Sequence, residues 1–469
     1  VPPGGEAQQK MRRVPTTRTI SGLPWTTACS SPRLPAKPVG YGDFLPWLEK
    51  EAGARISSKL CIGKSEHGRS LFAATNIKAG ECILRVPYDV QLASENLLPE
   101  VEASLNDKVG SVSKLALALL VEQQTGPGSR WAPYIDCLPK SGAMQSTIFW
   151  NENELKMIQR SSLYEETLLR KSQIEEGYLM IKPAFGRFRE ISNRITSKDF
   201  MHAHAIVRSR AWGRTKGVSL IPFADFLNHD GLSEAVVLND EEQRISEVFA
   251  DRNFAPGEEV LICYGKLPNV LLLLDFGFTL PCNTHDQVHI RIKVPQNDWL
   301  REMKLEMLKR NQLRNNEGGN NHKSSWDLFT IKEVKSASGK GKGLPQSLRA
   351  SARIMRCQSP EELRDLVVEA ARTDGRLARR PLEPTKEAEA HQILLTQINQ
   401  LLDEYTTSIE LLEPTTSCYA STICSLRRQM ALDLLCGERR VLESASAWLK
   451  SYCNKLLGHT TICNVDDCG

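Results

Sequence analysis

Between residues 221 and 230 the chain reads Ile221-Pro222-Phe223-Ala224-Asp225-Phe226-Leu227-Asn228-His229-Asp230. An apolar strand pattern runs straight into Asn, His and Asp, so polar side chains stand where a core alone would not place them. Asn228 and His229 together offer an amide, an imidazole and two backbone groups to a ligand. The competing reading is purely local: an Asx turn, with Asp225 capping a helix.

Some thirty residues downstream a second polar-ended strand appears, Gly257-Glu258-Glu259-Val260-Leu261-Ile262-Cys263-Tyr264-Gly265, followed by Asp275-Phe276-Gly277-Phe278. A Tyr that closes an apolar strand is compatible with a core residue whose hydroxyl is satisfied. Upstream, His67-Gly68-Arg69-Ser70-Leu71-Phe72-Ala73 sets a Gly before a strand. There the backbone can approach a ligand closely, or simply turn. Just before the first segment stands Arg208-Ser209-Arg210-Ala211-Trp212.

In order and content these segments resemble the SET-domain family. The likeness is nearest to the plant Rubisco large-subunit lysine methyltransferase group, whose SET domain carries a helical insertion and is followed by a helical substrate-binding domain. Arg208–Trp212 is similar to that group's Arg-Ser-Arg-Ala-aromatic stretch, and the resemblance spans roughly residues 42–450. It implies an α+β fold: a SET-domain β-fold with a helical insertion, then an all-α substrate-binding domain. The implied reaction moves a methyl group from S-adenosylmethionine (SAM) to a protein side chain, with lysine as the expected target. Transfer to histidine, and a non-catalytic SET-fold protein-binding module, are the alternatives.

The resemblance also implies roles. Tyr264 is the implied catalytic residue, orienting the amine. Backbone groups of His67, Gly68 and Arg69, with Arg210, Asn228, His229 and Phe278, are the implied cofactor contacts. An Arg beside the SAM carboxylate makes a charge-assisted pair, and an aromatic face such as Phe278 favours the cationic sulfur. Ser209, Asp225 and Phe276 are expected on the substrate side. Asn228-His229 is expected where the SET fold threads one segment through another, a rare exception among chain topologies. A free lysine has a pKa of about 10.4, and a dry site beside a sulfonium lowers it. No metal is implied. Three departures from the group's pattern stand out: Phe276 where Tyr is frequent, Asn269-Val270-Leu271 without the usual acid, and Ser70 where Gly is usual.

The surrounding patterns fit this order. Phe44, Leu45, Trp47 and Leu48 predict a short helix over residues 41–51, and Leu71–Ala73 and Cys82–Val86 predict strands. Helical periodicity covers about 95–205, including Lys114–Gln124 and Asn153–Lys171. Strand patterns return at Leu220-Ile221, Ala235–Leu238, Ile245–Ala250 and Val260–Ile262. Beyond Val294 the chain reads as helical, with stripes in Ala388–Leu412 and Leu426–Leu449. Asn315–Gly343, rich in Gly, Asn, Ser and Lys, is expected to be mostly a mobile loop. The expected divisions are a leader over 1–40, a SET domain over 41–290, a helical domain over 295–455 and a tail over 456–469.

Composition bounds the alternatives. With 41% hydrophobic and 25% charged residues the 469-residue chain reads as globular, and a net charge of +4 gives no warrant for nucleic-acid binding. No apolar run is long enough to span a bilayer. The thirteen cysteines form no Cys-x-x-Cys pair. Cys463 and Cys468 with His459 lack a second pair for a zinc site. The resemblance implies a protein substrate as the partner, and the chain is expected to be a monomer. Residues 1–40 hold Lys10, Arg12, Arg13, Arg18, Arg33 and Lys37 against the single acid Glu6. That composition matches an organelle transit peptide or a plain disordered leader. With the plant resemblance, it makes the plastid stroma the expected location, ahead of mitochondrion or cytoplasm.

Overall fold

The computed structural model describes residues 42–463 apart from 98, 186–194, 216, 316–326, 373–376, 378–380 and 413–421. The expected leader and the end of the tail lie outside the described residues, as do the side chains of His459, Cys463 and Cys468.

Helix α1 (Phe44–Ala52) buries Phe44 and Leu48 and stops at Gly53, whose φ of 59° lets its N–H reach back to the last turn's carbonyls. Strands β1 (Leu60–Ser65), β2 (Gly68–Ala73), β3 (Cys82–Pro87) and β4 (Leu92–Ala93) follow. A helical insertion comes next: α2 (Pro99–Glu102), α3 (Ser111–Thr125), α4 (Ala132–Cys137), α5 (Glu152–Lys156), α6 (Ser162–Phe185) and α7 (Ser197–Arg210). The β-rich part then resumes with β5 (Trp212–Arg214), β6 (Gly217–Leu220), β7 (Asn228–His229), β8 (Val236–Asp240), β9 (Ile245–Phe249) and β10 (Glu259–Ile262). After α8 (Asn269–Leu271) come β11 (Gln287–Arg291), α9 (Arg301–Asn315) and β12 (Leu328–Lys332). Helices α10 (Gln346–Arg356), α11 (Pro360–Ala371), α12 (Pro384–Leu412) and α13 (Thr422–Cys463) complete the chain.

The strands form small sheets in the orders β1-β2-β10-β7, β3-β9-β8, β4-β6-β5 and β11-β12. Strand β7 runs parallel to β10, pairing Asn228 with Leu261 and His229 with Ile262. Parallel neighbours need a crossover between them. Here the β8–β9 hairpin supplies it, and the polar end of one segment comes to lie beside Tyr264 at the end of the other. The main core runs from Leu71, Val260 and Phe226 to Leu394, Leu434 and Trp448, and a second, smaller cluster holds Leu300, Ile354 and Leu363.

Three expectations are corrected. Asn153–Lys171 is two helices, because Asn151 and Glu154 make a reciprocal capping box for α5 and the chain turns before α6 begins. The stretch Asn315–Gly343 contains strand β12, which buries Phe329 and Ile331 and pairs antiparallel with β11. Only five alternating residues carry that signal, and their Gly- and Lys-rich surroundings mask it. Finally, the tail expected from 456 continues α13 to Cys463.

Candidate active site

Tyr264 stands just beyond β10 and is tied at both ends to the segment Leu227–His229. Its N–H donates to His229 Nδ1 at 3.0 Å and its hydroxyl donates to the Leu227 carbonyl at 2.7 Å. Burial pushes its pKa up to about 12, with Arg210 opposing and Asp225 reinforcing the rise. The phenol therefore stays protonated at neutral pH, and with its proton engaged it faces a newcomer as an acceptor.

Aromatic rings pack against the Tyr264 ring. Phe276 stacks on Tyr264 with centroids 5.0 Å apart, and His229 lies 5.1 Å from Tyr264. Phe278 completes the wall, 5.7 Å from His229 and 6.2 Å from Phe276. Asn228 Nδ2 donates to the Arg69 carbonyl at 3.1 Å, joining this wall to β2.

Behind the wall lies a buried polar group. Asp225 Oδ2 accepts from the Tyr134 hydroxyl at 2.8 Å and from Arg210 Nη1 at 3.4 Å. Arg210 Nη1 also donates to the Asp225 carbonyl at 2.9 Å. Burial raises the Asp225 pKa against the pull of Arg210. The turn that delivers Asp225 is strained: Phe223 has φ 73° and ψ −48°, a conformation uncommon for a bulky residue. The Arg69 guanidinium lies 3.8 Å from the Phe226 ring centroid.

Of the residues singled out in the sequence, Arg69, Arg210, Asp225, Asn228, His229, Tyr264, Phe276 and Phe278 are joined by these contacts. Gly68 begins β2 beside them with φ 99°. His67 sits on the exposed hairpin turn with its ring toward Glu66 and makes none of these contacts. Ser209 donates to the Ile206 carbonyl of its own helix. Sequence reading missed Tyr134, whose only signal is a hydroxyl in an otherwise apolar turn. It also missed Arg170 and gave no role to Arg208, whose guanidiniums converge on Asp275.

A family model for the SET domain matches residues 68–265, and one for the Rubisco LSMT substrate-binding domain matches residues 295–442. The chain therefore carries a SET domain followed by a Rubisco LSMT-type substrate-binding domain. The human actin-histidine N-methyltransferase is 26% identical over 433 positions, covering 86% of this chain and 67% of that protein. The mouse protein of the same name matches to the same extent. Rubisco LSMT bound to AdoMet superposes with a TM-score of 0.67 at 20% identity, covering 91% of this chain and 96% of that one. Its complex with sinefungin and monomethyllysine gives 0.68 at the same identity and coverage. This SET-domain protein is a SAM-dependent methyltransferase.

Its residues fit SAM. Ser70 Oγ, Arg210 Nε and Asp225 Oδ1 are buried without a protein partner, which leaves donors and an acceptor for a ligand rich in both. At Gly68 a side chain would meet no atom within 4 Å, so the backbone there is bare and approachable. SAM supplies a methyl group on a cationic sulfonium. The residues of the chain do the rest by alignment. Arg210, Asn228 and the Gly68–Arg69 backbone would hold the donor, and the four rings would line the path of methyl transfer. The Tyr264 oxygen would accept from an N–H or a polarised C–H of the reacting groups.

Proposed function

We propose that this methyltransferase acts on a histidine side chain of a protein substrate. The carrying observation is the state of Tyr264, whose proton is committed to Leu227 and whose pKa lies near 12, so it takes no proton from an acceptor. His229 Nδ1 already accepts from the Tyr264 N–H, and burial lowers its pKa. Tyr134 and Arg210 hold Asp225 Oδ2, and its other carboxylate oxygen is buried. Neither Tyr264 nor His229 is free to deprotonate a lysine. An imidazole, with a pKa of about 6.5, arrives neutral and nucleophilic at pH 7. Phe276, flat and without a hydroxyl, suits a ring in the acceptor slot. The curated relatives matching 86% of this chain are actin-histidine methyltransferases, which supports the same choice.

Lysine, the target expected from the sequence, is the second reading. Four aromatic rings favour a cationic methylammonium product, and the Rubisco LSMT structures hold lysine or monomethyllysine. The two readings separate in one assay: transfer of labelled methyl from SAM into a plant protein extract, then acid hydrolysis of the labelled protein. Labelled methylhistidine supports the proposal, and methyllysine supports the second reading. No incorporated label despite SAM binding overturns both. The plastid stroma is proposed as the location on the basic, acid-poor composition of residues 1–40. A fluorescent fusion of that segment that stays outside plastids would sink this assignment.

A further inference from the structure

Resting on the reading of Tyr264 and Phe276 as the acceptor side of the site, we propose that Asp275 is a positioning residue. It sets Phe276 against Tyr264 and couples that wall to the cofactor side through Arg208. Asp275 lies in a π-helical turn, Leu272–Phe276, whose wide radius departs from the α-helix that precedes it. Such single turns recur at functional sites. Asp275 is 8% exposed, and its carboxylate gathers two guanidiniums from different elements. Arg170 Nη1, from α6 of the insertion, reaches Oδ1 at 2.6 Å. Arg208, in the last turn of α7, donates from Nε to Oδ1 at 3.2 Å and from Nη2 to Oδ2. Nearby His204 is held neutral, its pKa lowered to about 4 by burial and by both arginines, so it adds no third cation.

The consequence lies in the neighbours along the chain. Phe276 follows Asp275 directly and stacks on Tyr264. Ser209 and Arg210 follow Arg208 directly, and Arg210 holds Asp225 through backbone and side chain. One carboxylate therefore fixes the distance between the ring facing the acceptor and the arginine on the cofactor side. The other side of the same turn is held as well. Ser146 Oγ donates to the Leu274 carbonyl, and Gly277 lies against the backbone of Gln145 and Ser146. Asp275 and Phe276 thus have little freedom except through the arginine clamp.

The test replaces phenylalanines with 4-fluorophenylalanine in the full chain and follows the Phe276 fluorine signal by NMR, assigned with Phe276→Leu. The variants are Asp275→Asn, and Arg208→Lys, which keeps the charge but cannot donate two parallel hydrogen bonds. The expected result is a displaced or split Phe276 signal in both, and methyl transfer lowered at least tenfold. S-adenosylhomocysteine affinity should change less than threefold and the melting temperature of Arg208→Lys should match the wild type. Glu387→Gln, which breaks the buried Arg353–Glu387 pair among the C-terminal helices, should lower the melting temperature yet leave the Phe276 signal in place. An unmoved Phe276 signal in Arg208→Lys, or a fall in cofactor affinity as large as the fall in turnover, overturns the proposal. If the wild type labels no protein, the proposed function fails, while the fluorine signal still judges Asp275.

Discussion

Tyr264 and Asn228 divide the work of the site between two kinds of hydrogen bond. The Tyr264 hydroxyl gives its proton to Leu227 and presents lone pairs outward, so it affects the reacting groups more than the fold. Tyr264→Phe should leave SAM affinity within about threefold while lowering turnover roughly hundredfold, the scale of a misaligned acceptor. Unchanged turnover in a radiolabel assay would remove Tyr264 from the acceptor site. Asn228 differs, because its amide bonds the Arg69 carbonyl and so shapes the cofactor side. Asn228→Ala removes that bond, a loss of about 0.5–1.5 kcal/mol, and should weaken SAM binding by about tenfold in calorimetry. A dissociation constant equal to the wild type would take Asn228 out of the cofactor site.

At the scale of elements, the turn after the π-helical stretch is the most sensitive joint. Gly277 has φ 79°, and a Cβ there would lie 2.7 Å from the Ser146 backbone nitrogen. Gly277→Ala should therefore cost about 2–4 kcal/mol from the left-handed backbone and the overpacking together, seen as a lower denaturant midpoint. Elements whose partners are near in sequence, or whose pattern is strong, were legible in the sequence. The run Val260–Ile262 ending at Tyr264 declared a strand with a polar end, and β10 is that strand. The stripe Leu394, Ile398, Leu401, Tyr405 and Ile409 declared a buried helix face, and α12 buries four of the five and half-buries Leu401. The clamp on Asp275 was not legible. Its two arginines lie 105 and 67 residues away, and single charged residues carry no periodic signal. The same holds for Tyr134, which meets Asp225 across 91 residues. Strands β11 and β12 escaped notice because five alternating residues resemble loop when their partner is distant.

At the scale of the whole molecule, the C-terminal helices are joined to the SET domain by buried polar groups as well as by the common core. Arg427 of α13 donates to Glu154 Oε2 at 2.6 Å and to Gln145 at 2.9 Å. Deeper still, Glu438 of α13 is 2% exposed and faces the Ser161 hydroxyl at 2.8 Å and the Tyr405 hydroxyl at 3.0 Å. No cation answers its charge in these bonds, and burial, reinforced by Asp286 and Glu166, pushes its pKa up to about 8. A protonated Glu438 also resolves the geometry, because Tyr405 has one proton and lies 3.2 Å from the Arg160 carbonyl. Tyr405 can donate there while Glu438 donates to Tyr405. An acid whose folded pKa lies above its unfolded value of 4.5 stays protonated in the native state after the unfolded chain has ionised. Stability is therefore lost as pH rises from about 4.5 to about 8, by at most about 1.4 kcal/mol per unit, and levels off above that range. Neighbouring Asp286, raised to about 6 by burial against the pull of Asn269 and Arg440, adds a loss of the same sign at lower pH. Glu438→Gln keeps the shape and both hydroxyl contacts but cannot ionise. Its melting temperature should fall less than that of the wild type between pH 6 and pH 8.5, with the curves parallel above pH 9. Equal slopes across pH 6–8.5 would mean that Glu438 is already ionised in the native protein and that an unseen partner stabilises its charge.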